Sequence, residues 1–171
     1  MLRPSDILVL LKLVRIGDLP WTFDSIAHEL GLSASAVHRA VDRATESGLF
    51  NRGRREVERA ALLELLVHGV RYFFPPKWGG QARGIPTAWA APPLSKRLAH
   101  SGENPPVWPA PNGQTWGIAL APLDPKVTDA VIHDQPLGEL LALVDAIRIG
   151  GSRERALASE ELEVRLQGHP A

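Results

Sequence analysis

The chain has 171 residues, a formal net charge of zero, 44% apolar residues and no cysteine. This length fits one domain, or one small domain with an appended segment, and the apolar content is sufficient for a hydrophobic core. The lack of cysteine excludes disulfides, thiolate catalysis and cysteine zinc sites. The apolar stretch over 1–17 is interrupted by charged residues and is too short to span a membrane, so we expect a soluble, cytoplasmic protein without a signal peptide.

The charges are unevenly distributed along the chain. Residues 1–100 hold 14 Lys and Arg against 9 Asp and Glu, whereas residues 101–171 hold 5 against 10. A basic front and an acidic back are typical of a part that faces DNA joined to a part that faces another partner.

The first predicted helix covers residues 4–16. Pro4 and Ser5 can start it, and Gly17 ends it. Its broad apolar face consists of Ile7, Leu8, Leu10, Leu11 and Val14. This face can pack across the helices that follow, and it could also meet a second subunit.

Residues 21–49 predict two short helices with a tight turn between them. Thr22 can cap the first helix, over 23–30, and Gly31 ends it because glycine adopts a left-handed backbone at little cost. Ser33 or Ser35 can cap the second helix. The small, glycine and apolar positions that a helix-turn-helix needs are filled by Ala27, Gly31 and Val37.

The second of these helices predicts a DNA-reading surface, with outward residues Ser33, Ser35, His38, Arg39, Asp42 and Arg43. Serines suit phosphates or base edges, Arg39 can donate two hydrogen bonds to a guanine edge, and Arg43 suits a phosphate. The stretch SIAHELGLSASAVHRAVDRATESGL resembles the DNA-binding domain of MarR-like winged-helix regulators. That resemblance implies a recognition helix over about 33–47 that enters the major groove by its N-terminal half. The alternative is a two-helix corner in an unrelated helical domain.

A basic run over 51–55 follows a short predicted strand at Leu49 and Phe50. The resemblance implies a hairpin here, the wing, whose tip touches DNA, and its arginines suit phosphates: Arg52, Arg54 and Arg55. The segment 55–68, however, predicts a helix where the returning strand should be. We therefore expect either a wing reduced to a basic loop or a second strand that arrives from later in the chain. A solvated linker is the alternative for the arginines.

A segment rich in proline and tryptophan covers residues 70–123. Eleven of the chain's 15 prolines lie between residues 75 and 125, which excludes long helices, and four tryptophans argue against disorder. Short strands are predicted at about 70–74, 85–90, 107–108 and 115–120, with a hairpin turn at Asn112-Gly113 between the last two. The glycines at 79, 80 and 84 predict a turn, or a ligand-contacting loop with Lys77 and Arg83. An aromatic pocket or a small core is predicted for Trp78, Trp89 and Trp116.

The C-terminal part, 124–171, predicts acidic helices. A short helix at about 124–132 precedes a stronger one over 136–149 and a charged one over about 152–167, which exposes Glu160, Glu161 and Glu163. The last two helices can close the same core or offer a docking surface to a partner protein or a dimer mate. A helix-turn-helix followed by a separate acidic part also resembles, in layout, antitoxins of the AbiEi type that repress their own operon.

The motifs of common catalytic and metal sites are missing from the sequence. No two histidines have the spacing of a helical metal pair, and the chain lacks nucleophile-elbow and dinucleotide-binding motifs. We therefore expect no enzyme, no metal and no cofactor.

The sequence thus predicts an α+β fold, mainly α, in three parts: a winged helix-turn-helix domain over 1–69, the strand-containing segment over 70–123 and C-terminal acidic helices over 124–171. The expected function is that of a homodimeric, sequence-specific DNA-binding repressor. Its expected DNA-binding residues are Ser33, Ser35, His38, Arg39, Arg43, Arg52, Arg54 and Arg55. The alternative is an antitoxin-like protein that binds a partner protein through its C-terminal half.

Overall fold

The computed structural model describes residues 1–99 and 104–167. The fold is α+β and mainly α, as predicted. The helices in this part of the chain are α1 Pro4–Ile16, α2 Phe23–Leu30, α3 Ala34–Glu46, α4 Arg59–His68, α5 Val70–Phe73, α6 Val127–Ile132, α7 Gln135–Ile149 and α8 Ser152–Leu166. The strands are β1 Phe50–Asn51, β2 Glu56–Val57, β3 Trp78–Pro86, β4 Pro106–Pro109 and β5 Thr115–Leu120.

The first three helices follow the predicted bounds. Thr22 caps α2 by accepting a hydrogen bond from the Ser25 N–H, and Ser33 rather than Ser35 caps α3 by accepting one from the Ala36 N–H. Gly31 has φ 68° and ψ 28°, the left-handed conformation that the prediction requires. Helix α1 lies between α3 and α7 and is buried along most of its length.

The basic run forms a short hairpin, which corrects the prediction for this segment. Phe50 pairs with Val57 and Asn51 with Glu56, so the returning strand follows the turn directly, and α4 begins at Arg59 instead of Arg55. Val57 explains the difference, because its side chain is buried in the core while its neighbour Glu56 is exposed. The alternation of exposed and buried residues is typical of a strand, but the helical pattern that follows Val57 dominates the sequence signal.

Residues 70–74 do not form the predicted strand. The segment is the short helix α5, which continues from α4 after Gly69 and packs against α7 through the buried Val70. The aromatic residues behind Val70 favour a strand only where a neighbouring strand can pair with them, and here the helical hydrogen bonds continue instead.

Strands β3, β4 and β5 close into a small three-stranded barrel. Strand β3 pairs antiparallel with both others, and β4 and β5 pair with each other in parallel. The predicted hairpin at Asn112-Gly113 is therefore wrong, and so is the predicted turn at 79–84, which lies within β3. Close strand crossing requires glycine, because a Cβ at Gly84 would overlap with the Trp108 carbonyl and one at Gly117 with the Pro105 carbonyl.

The barrel is anchored to α7 by a buried polar network around Asp145. Thr87 Oγ1 and Trp108 Nε1 each donate to Asp145 Oδ2 over 2.7 Å, and Arg148 Nη1 donates to Oδ1 over 2.9 Å. Burial raises the pKa of the Asp145 carboxyl, while these donors and the Arg148 charge oppose the rise. The network explains why Trp108 is only 2% exposed.

Helices α7 and α8 pack against each other at the C-terminal end. One hydrophobic cluster collects side chains from all three predicted segments, including Leu8 of α1, Trp108 of β4 and Leu141 of α7. Within residues 1–99 and 104–167, no helix combines the length and the apolar character needed to cross a membrane.

Candidate nucleic-acid interface

Helix α3 presents a polar face to solvent. Its apolar side packs on α1 and α2 through the buried residues Val37, Ala40, Val41 and Ala44. This burial leaves Ser33, Ser35, His38, Arg39 and Asp42 exposed, as predicted. The hydroxyls of Ser33 and Ser35 lie 3.2 Å apart, so the N-terminal turn of α3 offers two adjacent hydroxyl groups.

An aromatic stack joins α2, α3 and the hairpin. The His38 ring lies parallel to the Phe23 ring with centroids 3.5 Å apart, and Phe23 meets Trp21 edge to face at 5.4 Å. The Arg55 guanidinium lies 4.3 Å above the Trp21 ring, and its Nη2 donates to the Trp21 carbonyl over 3.3 Å. Arg55 has φ 53°, a conformation that non-glycine residues rarely adopt, and these contacts hold it there.

Sequence reasoning missed this stack, because it gave neither Trp21 nor Phe23 a role at this surface. Both rings are only partly buried, and Arg55 is an exposed residue. The sequence did contain one indication of it, because aromatic residues stand on both sides of the cap residue Thr22 at the start of α2.

Arg43 is turned inward, which differs from the outward position that the sequence predicts. Its Nε and Nη2 donate to the two oxygens of Asp6 over 2.8 and 2.7 Å, in a bidentate pair. The Asp6 side chain is fully buried and that of Arg43 is 17% exposed. The hydrogen bond to Asp6 raises the pKa of Arg43. This arginine therefore joins α3 to the start of α1 through two of its N–H donors.

The hairpin arginines are exposed and paired with nearby carboxylates. Arg52 pairs with Asp42 of α3, which connects the hairpin turn to the exposed helix face. Arg54 Nε donates to Glu56 over 2.6 Å and its Nη2 donates to Glu58 over 2.9 Å. The hydrogen bond to Glu56 is the largest of the effects that raise the pKa of Arg54. Both pairs are open to solvent, where water screens them.

Arg39 is the cation of this face that lacks a carboxylate partner among the described residues. It borders a shallow cavity of about 80 Å³ between α1 and α3, to which Arg3 and Ser5 also contribute. Its guanidinium can therefore donate to an external acceptor without first breaking an ion pair. Together, the exposed hydroxyls, His38 and Arg39 form a donor-rich strip, with the hairpin arginines to its side.

A charged cluster connects these helices to the C-terminal part. Lys12 Nζ lies 2.6 Å from an Asp134 oxygen and 3.0 Å from Glu29, while Arg15 donates to the other Asp134 oxygen over 3.1 Å. Burial alone would raise the pKa of Asp134, but the hydrogen bonds from Lys12 and the Leu137 N–H, with the charges of Lys12 and Arg15, lower it. The same carboxylate caps α7, so α1 and α7 are fastened at one point.

The predicted acidic docking surface is partly neutralised within the chain. Glu161 accepts from Arg97 over 2.9 Å and also pairs with Arg165, and Arg97 donates to Glu160 over 3.2 Å. Burial tends to raise the pKa of Glu161, but the hydrogen bonds from Arg165 and Arg97 lower it. Glu163 remains exposed on α8.

The tryptophans of the barrel segment differ widely in exposure. Trp78 and Trp116 are 50% and 55% exposed, Trp89 is partly buried against the core, and Trp108 is buried. Lys77 and Arg83 are exposed on the same segment. Trp78 and Trp116 therefore do not lie in the predicted small core.

The described ranges contain no group of three or more His, Asp or Glu side chains arranged to hold a metal ion. No family model, curated protein sequence or solved structure matches the chain. The exposed face of α3 and the hairpin beside it, with the chemistry of their side chains, are therefore the features that bear on function.

Proposed function

We propose that this protein is a sequence-specific, DNA-binding transcriptional regulator that acts as a homodimeric repressor, with α3 as the helix that reads the major groove. The observation that carries the proposal is the exposed strip of Ser35, His38 and Arg39 on a helix whose other face is completely buried. An α-helix fits the major groove of B-DNA, and arginine contacts guanine there through two hydrogen bonds.

The hairpin supports the same proposal through the geometry of its arginines. Arg52 and Arg54 are more than half exposed in pairs with Asp42, Glu56 and Glu58. Exposed pairs contribute only about 0–1 kcal/mol, so a phosphate can replace the carboxylate at little cost. The pairs hold both guanidinium groups beside α3 until DNA arrives. Arg55, stacked on Trp21, adds a third positive charge next to them.

Arg43 is left out of the proposed contacts because two of its five N–H donors are held by its buried partner Asp6. Base reading then rests on Ser35, His38 and Arg39, and phosphate binding rests on Ser33 and the hairpin arginines. A two-fold symmetric dimer would place two α3 helices in successive major grooves, roughly 34–36 Å apart, on a palindromic site.

The test begins with the DNA that the purified protein retains from sheared genomic fragments of its source. A duplex that carries the enriched sequence is then titrated by fluorescence anisotropy at several salt concentrations. If each subunit neutralises about three phosphates, a log–log plot of affinity against salt has a slope of roughly −5.

A shuffled duplex of the same composition is the control. We expect it to bind more weakly than the enriched duplex while keeping a comparable salt dependence. Retention of no particular sequence, or an affinity that does not change with salt, would contradict the proposal.

A further inference from the structure

A second surface combines exposed aromatic rings with cations. Tyr72 is 73% exposed, and the Arg71 guanidinium lies 5.3 Å from its ring centroid. Trp116, which is 55% exposed, lies opposite Arg83 in the register of β3 and β5. Trp78, half exposed at the start of β3, follows the exposed Lys77. Each of the three exposed rings thus has a cation next to it, in space or in sequence.

The segment that carries this surface is poor in acidic residues. The sequence contains no Asp or Glu between Glu64 and Glu103, and none between Glu103 and Asp124. In the part of the chain that the structure describes, neither Lys77 nor Arg83 has a carboxylate partner. The overall net charge of zero therefore conceals a surface that is complementary to an anion.

The rings and cations follow one strand pair. Gln81 lies opposite Ile118 and Arg83 opposite Trp116, so these four side chains share one face of the β3–β5 ribbon. Trp78 lies at the far end, opposite Leu120, which is four residues from Trp116 along β5. At about 3.3 Å per residue, this separation is roughly 13 Å, or about two nucleotides of an extended single strand.

An open depression lies next to Lys77, the residue before Trp78. It has a volume of about 440 Å³ and is lined by Phe73, Lys77 and Ala121 among others. Phe73 is 72% exposed and belongs to α5, next to Tyr72. Phe73 of α5 and Lys77, the residue before β3, therefore border the same depression.

We propose that this surface, defined by Tyr72, Lys77, Trp78, Arg83 and Trp116, binds single-stranded nucleic acid. Exposed rings give unpaired bases a face on which to stack, and unpaired cations between them contact the phosphates. A duplex offers no free base faces to these rings. The residues that define this surface belong to α5, β3 and β5 or directly precede β3, whereas the proposed duplex-reading residues belong to α3. The proposal therefore stands independently of duplex binding by α3.

The test is a titration of the full-length chain against a fluorescein-labelled oligothymidine of 15 nucleotides, followed by anisotropy at low salt. Trp116→Ala should weaken binding about tenfold through the loss of one stacked base, while Trp116→Phe should keep most of the affinity. Arg83→Ala should weaken binding and lower the salt dependence. Because Trp116 and Arg83 are exposed, these variants should retain the far-ultraviolet circular dichroism of the parent.

Two controls keep the interpretation specific. Val164→Ala changes an exposed apolar residue on α8 and should leave the affinity for the oligomer unchanged. Arg153→Ala removes an exposed cation from α8 and should also leave it unchanged, so a general loss of positive charge cannot be mistaken for a loss of this surface. Loss of affinity in either control would overturn the assignment to this surface.

Further outcomes would overturn the proposal itself. These are an absence of saturable binding to the oligomer, or equal affinities of the parent and Trp116→Ala. Binding to polyglutamate as tight as to the oligomer would indicate a general polyanion surface. Binding to vesicles that contain phosphatidylserine, without binding to the oligomer, would assign the rings to a membrane instead.

Discussion

The α3 region and the β3–β5 ribbon both carry arginine, but three of the five arginines on α3 and its hairpin pair with carboxylates, whereas the arginine of the ribbon does not. Around α3, Arg43, Arg52 and Arg54 each meet a carboxylate of the same chain. On the ribbon, Arg83 lies beside Trp116 with no carboxylate partner among the described residues. The first arrangement holds guanidinium groups in defined positions, whereas the second leaves a cation free next to an aromatic ring.

This comparison shows that an arginine near a basic surface can have any of three roles. A buried pair such as Arg43–Asp6 is a structural connection, because separating it leaves an uncompensated charge in the core. An exposed pair such as Arg52–Asp42 can exchange its partner at little cost. An unpaired cation such as Arg39 needs no exchange, and sequence spacing alone does not distinguish these roles.

The largest expected effect comes from breaking the buried pair. Asp6→Ala removes both acceptors of Arg43 and the acceptor of the Arg3 N–H, and it should lower the free energy of unfolding by about 3–5 kcal/mol. Urea unfolding followed by circular dichroism measures this change. Asp24→Ala, which removes an exposed carboxylate from the first turn of α2, is the control and should cost less than 1 kcal/mol. Equal losses in the two variants would contradict the structural role of Arg43.

The next effect concerns the unpaired arginine of α3. Arg39→Ala should reduce discrimination between the enriched duplex and a shuffled one by about 1–3 kcal/mol, because the guanine contact carries sequence information. Arg54→Ala is the matched control on the hairpin, and it should weaken both duplexes alike. Anisotropy titrations on the two duplexes measure both changes. Identical specificity ratios for Arg39→Ala and the parent would remove Arg39 from base reading.

The helical N-terminal part could be predicted from sequence because its signals are local. Pro4, Thr22 and Gly31 mark helix ends within one turn of the backbone they control, and the observed bounds of α1 and α2 agree with them. The outward position of Arg43 could not be predicted correctly. Its partner Asp6 lies 37 residues away, and only the crossing of α1 and α3 brings the two side chains together.

The strands of the barrel segment could not be predicted from local sequence signals, for the same physical reason. Gly84 reads as a turn residue in sequence, yet it lies within β3 because another strand passes where a side chain would be. The parallel pairing of β4 and β5 depends on β3, which precedes both by many residues. Strand lengths and partners are therefore set by non-local contacts, and the exposure of Trp116 follows from them.

The Lys12–Asp134–Arg15 cluster, which connects α1 and α7, should make the stability of the protein sensitive to acid. The pKa of Asp134 is lower in the folded protein than in the unfolded chain, where it is about 3.9. Its contribution to stability is therefore present above that pH and is lost as the pH falls through the folded-state pKa. Urea unfolding from pH 7 to pH 3 should show a smaller acid-induced loss of stability in Asp134→Asn than in the parent.

Asp18→Asn provides the comparison for this experiment, because Asp18 is an exposed carboxylate in the connection after α1. It should keep the acid sensitivity of the parent. If Asp134→Asn and Asp18→Asn behave identically, the Lys12–Asp134–Arg15 cluster does not set the acid response.

The smallest effect is expected from the exposed pair between α3 and the hairpin. Asp42→Asn removes a negative charge from the proposed DNA-facing surface and releases Arg52, so it should tighten duplex binding by about 0.2–1 kcal/mol. Glu163→Gln removes an exposed carboxylate from α8 and should leave duplex affinity unchanged. Weaker binding by Asp42→Asn would mean that the pair positions Arg52 and is not merely exchanged for phosphate.

The most direct test of DNA reading by α3 uses the absence of cysteine from the chain. Ser35→Cys introduces a single thiol at the exposed N-terminal turn of α3, to which a DNA-cleaving iron chelate can be attached, and Ser152→Cys does the same at the start of α8. On the enriched duplex, we predict that the chelate at residue 35 cleaves within the major groove of each half-site and that the one at residue 152 does not. Cleavage from residue 152 alone, or equal cleavage from both positions, would contradict DNA binding by this face.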